Sequence, residues 1–232
     1  MRMIPIEAAE LFIGQHFPDC ILAILGGSAS QNKHNSHSDL DIVIVESNEN
    51  DFNRKVFSLF GWMIECTVLT PENYRDLFDD GIRAANPALQ RIIAEGTILK
   101  QSGHGLMIYQ EAKDDLAYGP MPWTSSELDY ARYMISDNVM DLQGADNRTE
   151  RWFVVNKIVT LLSEFILRSN NLWVGEGKHL YKNVAAFSPA IAARLDNTLE
   201  SLYTKENIND LISLCCEILE PYGGILIEGY EE

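Results

Sequence analysis

Two short apolar segments, joined by a polar loop that begins with glycines and ends with aspartates, constrain the fold of this chain most. The first segment covers residues 21–25, and the second covers residues 40–45, where Asp39 and Asp41 flank its first residue. Apolar runs of this length between turn residues predict two buried β-strands. Because side chains alternate along a strand, Asp39 and Asp41 are expected to point to the same face of the sheet.

This combination of a glycine turn and paired carboxylates is typical of phosphate chemistry. Like charges held together are unfavourable unless a cation lies between them, and Mg²⁺ accepts carboxylate oxygens together with substrate phosphates. Asp39 and Asp41 are therefore the candidate metal ligands. Gly27 would let the backbone approach a phosphate chain closely, and the hydroxyl and N–H of Ser28 can donate to phosphate oxygens. An ordinary strand-ending turn would contain the same glycine, so the prediction for Gly27 depends on the aspartates.

A third carboxylate, Glu65, interrupts the apolar segment 62–69, which predicts a further strand. A charge that is buried there without a partner would be costly. Glu65 therefore either faces solvent on a half-exposed strand or points into a metal site.

A stretch of two prolines and a glycine at residues 119–122 is the best candidate for a domain boundary, since it interrupts any regular element. Strand patterns occur before it and almost vanish after it. We therefore expect an α+β fold, with a small mixed β-sheet in residues 1–119 and an all-α helical bundle in residues 120–232. The patterns predict helices over residues 5–16, 51–60, 127–142, 149–169, 179–187, 190–202 and 207–219, and strands over residues 20–25, 40–45, 62–69 and 97–100.

The charge of the chain argues against a nucleic-acid partner. The chain has 18 Lys and Arg against 34 Asp and Glu, which gives a formal net charge of −16. Residues 1–115 and residues 116–232 each carry 9 basic and 17 acidic side chains. Without a basic stripe, the protein is poorly suited to hold a DNA or RNA backbone. A negative surface would instead attract cationic acceptors, although acidity also simply aids solubility.

The cysteines and the first residues predict a cytoplasmic protein. None of the four cysteines has metal-ligand spacing, so we expect buried free thiols, including the adjacent Cys215 and Cys216. The start of the chain lacks the apolar core of a signal peptide. No apolar run approaches the ~18–20 residues that span a bilayer, so no membrane partner is expected.

The spacing of Gly27 and Ser28 from the acidic pair, between two apolar strands, resembles the signature of the DNA polymerase β-like nucleotidyltransferase superfamily. Within that superfamily the chain looks most like small bacterial two-domain members such as the aminoglycoside adenylyltransferases. The resemblance implies that residues 1–119 form the nucleotidyltransferase domain, with Mg²⁺ as cofactor and ATP, or another nucleoside triphosphate, as co-substrate.

The resemblance also assigns roles to residues outside the motif. In the family, a carboxylate on the neighbouring strand completes the acidic cluster as a metal ligand or as the base for the acceptor hydroxyl, and Glu65 matches that place. Related adenylyltransferases use basic residues of the helical domain to reach the phosphates, which points to Lys178 and, less well, Lys182. Judged from the residues alone, a solvated lysine is an equal alternative for Lys178, and Arg132 is a weaker candidate of the same kind.

The expected activity is the Mg²⁺-dependent transfer of a nucleoside monophosphate, AMP from ATP, to a hydroxyl of a small-molecule acceptor, with release of pyrophosphate. An aminoglycoside-like antibiotic is the leading acceptor class. One alternative is a protein adenylyltransferase of the antitoxin type, although such proteins are usually single small domains. Another is a non-catalytic nucleotide-binding regulator, although a degenerate member would be expected to lose one of the three carboxylates.

Overall fold

The computed structural model describes residues 2–47 and 53–231 of the chain. The chain separates into two compact units, Met1–Gly119 and Pro120–Glu232. In its described part, the first unit contains a five-stranded sheet with helices, and the second contains helices. The fold is therefore α+β, with a mixed sheet followed by a helical region, as the sequence predicts.

The sheet of the first unit combines antiparallel and parallel pairs. Its spatial order is β3-β4-β2-β1-β5. The central strands β2 and β4 run parallel to each other, and the other neighbours are antiparallel. The strands are β1 (Leu22–Leu25), β2 (Leu40–Val45), β3 (Asn53–Leu59), β4 (Trp62–Leu69) and β5 (Thr97–Gln101).

Both faces of this sheet carry a hydrophobic core. Alternate residues of β2 enter the two cores: Ile42 and Ile44 belong to one, and Val43 and Val45 belong to the other. Since side chains on a strand alternate, Asp41 shares the face of Val43 and Val45. The helices of this unit are α1 (Pro5–His16), which packs on the first core, the short α2 (Gly27–Ser30), and α3 (Tyr74–Arg83), α4 (Ala88–Glu95) and α5 (Gly105–Tyr118), which pack on the second.

The helix predicted over residues 51–60 is wrong. Residues 51 and 52 lie outside the described residues, and residues 53–59 form strand β3. The apolar residues Val56, Leu59 and Phe60 have the spacing of a helical stripe, but half-buried and exposed residues alternate along β3, as in an edge strand. Hydrogen bonds to β4 therefore outweigh the local helical pattern.

A two-residue turn joins β3 to β4, where the sequence pattern had suggested the end of a helix. Leu59 pairs with Trp62, and Phe60 and Gly61 between them both have positive φ, +54° and +81°. Positive φ at both central residues matches the twist of the flanking strands. Gly61 thus ends a strand and not a helix.

In its described part, the second unit is built from helices, and side chains cap the starts of three of them. At the start of α6, the side chain of Thr124 accepts a hydrogen bond from the N–H of Glu127, and the Glu127 carboxylate accepts one from the N–H of Thr124. This reciprocal pair is a capping box. The helices are α6 (Ser125–Gly144), α7 (Arg148–Arg168), α8 (Lys178–Phe187), α9 (Pro189–Lys205) and α10 (Asn209–Leu219), followed by a short 3₁₀ turn at Glu220–Tyr222.

The cysteines are free, and most of them are buried. Cys20, Cys66 and Cys215 are buried, whereas Cys216 is exposed, so the expectation of buried thiols is wrong for Cys216. Burial raises the pKa of the Cys215 thiol to about 12. Successive residues of a helix point in different directions, which explains how two adjacent cysteines differ so strongly.

Across residues 2–47 and 53–231, no helix combines the length and the apolar character needed to cross a lipid bilayer.

Candidate metal and phosphate site

Three carboxylates converge at the start of the parallel strand pair. Asp39, Asp41 and Glu65 each offer an oxygen, and these oxygens lie within 4.8 Å of one another. Asp41 and Glu65 are paired residues across β2 and β4, and Asp39 lies two positions before Asp41. The register decides this convergence, because a slip of one residue would move Glu65 to the opposite face. The structure thus brings together the three residues that the sequence and the resemblance single out.

The chemistry of this acidic triad fits a magnesium ion. All three side chains are half-buried, so solvent screens their mutual repulsion incompletely. Hard carboxylate oxygens that lie this close together are the ligands that Mg²⁺ accepts, along with substrate phosphates and water. Asp39, Asp41 and Glu65 are therefore the residues that would hold Mg²⁺.

Gly27 lies directly against one member of the triad. A Cβ atom at Gly27 would come within 2.0 Å of Oδ2 of Asp41, and Gly27 has a φ of +63°. The neighbouring N–H of Gly26 donates to the carbonyl of Asp41 at 2.7 Å. Both the conformation and the close approach require glycine at position 27. The glycine turn and the acidic pair, which are separate features of the sequence, are thus in contact.

Ser28 also contacts the chain that leads to the aspartates. Its hydroxyl donates to Oγ of Ser38 at 3.2 Å, and the same Ser38 oxygen accepts from the N–H of Asn35 at 2.9 Å. Ser38 immediately precedes Asp39. The structure places the Ser28 hydroxyl against the residue that precedes Asp39, and a contact of Ser28 with phosphate remains a prediction.

Arg54 is a site residue that the sequence reasoning missed. Its guanidinium forms an ion pair with the carboxylate of Glu65. Arg54 pairs with Thr67, so it lies diagonally across from Glu65 on the same face of the sheet. The pair brings one positive charge to a cluster of three negative ones. The sequence gives no local signal for this pair, because the apolar residues of this segment have helical spacing and the partner of Arg54 lies on another strand.

The basic residues of the second unit that are predicted to contact phosphate lie on helices α6 and α8. Lys178 is the first residue of α8, Lys182 follows one turn later, and both are exposed. Their role toward phosphate remains a prediction. Arg132 is buried, and its guanidinium binds the carboxylate of Asp129 at 2.7 Å and the carbonyl of Gly224 at 3.0 Å, which ties α6 to the C-terminal segment.

Comparison with known proteins defines the class of fold. No protein-family model matches the sequence, and no curated protein matches it. Among solved structures, the chain is similar to the crystal structure of a nucleotidyltransferase-like protein from Exiguobacterium sibiricum 255-15. The similarity covers 93% of this chain and 73% of that chain, with a TM-score of 0.50 and 11% sequence identity. The protein therefore has a nucleotidyltransferase-like fold.

Proposed function

We propose that the protein is a Mg²⁺-dependent nucleotidyltransferase that moves AMP from ATP to a hydroxyl group of a small acceptor and releases pyrophosphate. The observation that carries this proposal is the convergence of Asp39, Asp41 and Glu65 within 4.8 Å beside the positive-φ turn at Gly27. The nucleotidyltransferase-like fold supports it.

Different residues are proposed to bind the metal ion and the triphosphate. Asp39 and Asp41 would hold Mg²⁺, which when bound neutralises phosphate charge and makes the α-phosphorus more electrophilic. Backbone N–H groups at Gly27 and Ser28, with the Ser28 hydroxyl, would donate to the oxygens of the triphosphate. In the second unit, Lys178 and Lys182 would add positive charge next to the leaving pyrophosphate.

Glu65, which would complete the metal site, is also proposed as the group that accepts the proton from the acceptor. The acceptor oxygen forms a bond to the α-phosphorus, its proton passes to a carboxylate oxygen of Glu65, and the bond from the α-phosphorus to pyrophosphate breaks. Arg54 orients the Glu65 carboxylate through their ion pair. A general base of this kind contributes about 10²- to 10⁴-fold to a rate.

The proposed acceptor is a cationic, aminoglycoside-like molecule. The net charge of −16 favours the approach of positively charged compounds. The resemblance to two-domain adenylyltransferases supports the same class.

A screen of acceptors with the intact chain tests the proposal. With ATP and Mg²⁺, we expect pyrophosphate release and a matching mass increase in one of a panel of aminoglycosides, lincosamides and polyols. Asp39→Asn and Asp41→Asn should abolish turnover, and Glu65→Gln should slow single turnover by about 10²-fold or more. Asp76→Asn, on the exposed part of α3, is the matched control and should keep full activity.

Two results would contradict the proposal. Full turnover by Asp41→Asn would show that the triad is not the active site. Binding of ATP that depends on Mg²⁺ and on Asp39, without product from any acceptor, would instead favour a nucleotide-binding regulator.

A further inference from the structure

The N-terminal arm carries an arginine that joins two segments distant in sequence. Nη1 of Arg2 donates to the carbonyl of Asn35 at 2.7 Å, and Nη2 donates to the carbonyl of Ser38 at 2.5 Å. Nε donates to the carbonyl of Gly61 at 3.0 Å. The guanidinium carbon lies 3.8 Å from the centre of the Trp62 ring. One side chain thus holds the loop before β2 against the turn before β4.

The arm that presents Arg2 is itself fixed by the β3–β4 hairpin. The N–H of Met3 donates to the carbonyl of Phe60 at 3.1 Å, and Nε1 of Trp62 donates to the carbonyl of Met3 at 2.8 Å. Trp62 is buried. Both the N–H and the carbonyl of Met3, the residue after Arg2, are hydrogen-bonded to the hairpin. Arg2 therefore reaches the three carbonyls from a defined position.

Both segments that Arg2 joins lead directly into the acidic triad. Ser38 precedes Asp39, and its hydroxyl also accepts the hydrogen bond of Ser28. Gly61 lies in the turn immediately before β4, the strand that carries Glu65. The carbonyls bound by Arg2 therefore lie on the chain just before Asp39 and just before β4.

We propose that Arg2 is a positioning residue of the triad, which sets the place of Asp39 by clamping the 35–38 loop to the hairpin turn. The inference rests on the proposed function, since it takes the triad to be a metal site. A planar guanidinium can donate to three carbonyls in different directions at once, whereas a lysine ammonium acts as a single point. A metal site needs its ligands held within about 0.5 Å of the productive geometry.

Binding of Mn²⁺, a spectroscopic substitute for Mg²⁺, to the intact chain tests this inference. Arg2→Met should weaken Mn²⁺ binding by about tenfold, the lower end of the effect seen for residues that orient metal ligands. Arg2→Lys should fall between Arg2→Met and the natural protein. The matched control is Arg83→Met, since Arg83 lies in the same unit and pairs with Asp80 on its own helix; it should leave Mn²⁺ affinity unchanged. All affinities are measured below the unfolding temperature of each variant.

Hydrogen exchange of the metal-free protein gives a second readout. Arg2→Met should speed exchange of the amides of residues 35–39, and Arg83→Met should not. Arg2→Lys keeps both experiments decisive if Arg2→Met does not fold.

Each result separates this inference from the proposed function. If the natural protein and folded Arg2→Met bind Mn²⁺ equally well, Arg2 does not position the triad. This holds even if the melting temperature of Arg2→Met is lower than that of the natural protein. Full affinity in Arg2→Lys would overturn the three-carbonyl clamp. If the natural protein binds no Mn²⁺, the proposed metal site fails, and the positioning role fails with it.

Discussion

The contact between Gly27 and Asp41 joins the glycine turn to the acidic triad. A Cβ atom at Gly27 would lie so close to Oδ2 of Asp41 that any side chain there would displace the carboxylate. The positive φ of Gly27 adds a second reason for glycine, since an L-residue is strained there. The close approach predicts a loss of metal affinity on substitution, and the positive φ predicts a loss of stability. The two effects can be measured separately.

Gly27→Ala should disrupt the triad beyond its effect on stability. The new Cβ would push the Asp41 carboxylate away, so we expect Mn²⁺ affinity to fall by about tenfold or more and turnover to fall with it. The free energy of unfolding should drop by about 1–2 kcal/mol because of the left-handed backbone. Titration of Mn²⁺ and chemical denaturation measure the two effects.

Gly103→Ala is the control for the backbone strain alone. Gly103 also has positive φ, +51°, but a Cβ there meets no atom within 4 Å. It should lose a similar amount of stability and keep its Mn²⁺ affinity. Equal metal binding by Gly27→Ala and Gly103→Ala would refute the role of the close approach.

The residues of the candidate site differ in how far the sequence predicts them. Asp39, Asp41, Gly27 and Glu65 were predictable because their types and spacing are local in sequence or belong to a known pattern. Arg54 was not, since its partner is reached only across a strand pair. The side chain adds a positive charge to the triad that the local pattern of residues does not reveal.

At the scale of elements, strand β3 shows how a partner overrides local pattern. Residues 53–60 have helical spacing of their apolar side chains, yet pairing with β4 makes them an edge strand. Strand preference depends on the neighbouring strand and the buried face more than on the residues alone. The strands β2 and β4, by contrast, are mainly apolar segments, interrupted chiefly by Asp41 and Glu65, and the sequence predicts them well.

The capping box at the start of α6 gives a prediction at this scale. The pKa of Glu127 is lowered, chiefly by the hydrogen bond from the N–H of Thr124 and then by that from its hydroxyl. A lowered pKa means that the carboxylate stabilises the folded state above its unfolded pKa of about 4.3, and that this contribution is lost as the pH falls through the folded pKa. Glu127→Ala should therefore lower the free energy of unfolding at pH 7 by about 0.3–0.5 kcal/mol, a small effect because solvent screens this exposed carboxylate. The deficit should shrink in acid.

Denaturation at several pH values checks this prediction. Glu150→Ala is a suitable comparison, since Glu150 lies in the first turn of α7, where the side chain of Asn147 provides the cap. It should cost less stability at pH 7 than Glu127→Ala. A deficit of Glu127→Ala that stays constant from pH 7 to pH 3 would contradict the proposed contribution of the carboxylate.

At the scale of the whole molecule, the charge of −16 is the feature with a kinetic consequence. The field of a negatively charged protein concentrates cations near its surface, and salt screens that field over about 10 Å at 0.1 M ionic strength. The proposed cationic acceptor should therefore be captured faster at low ionic strength.

For a polycationic acceptor, kcat/KM should fall by about tenfold or more between low salt and ~0.3 M salt. The value of kcat should change little, because screening acts on the encounter. A neutral polyol acceptor, tested beside it, should show a nearly flat salt dependence. A kcat/KM that is independent of salt for both acceptors would speak against electrostatic capture.

The sequence by itself determined most of the elements other than β3, and the types of residue available to a phosphate site; it also gave a domain boundary near residue 119 as an expectation. These follow from local properties: apolar periodicity, turn residues and short spacings. Tertiary structure alone decided that β3 is a strand, that Asp41 faces Glu65 in register, and that Arg2 and Arg54 reach the surroundings of the acidic triad. Those outcomes depend on hydrogen bonds and charges between residues far apart in the chain, which only the packed sheet brings within reach.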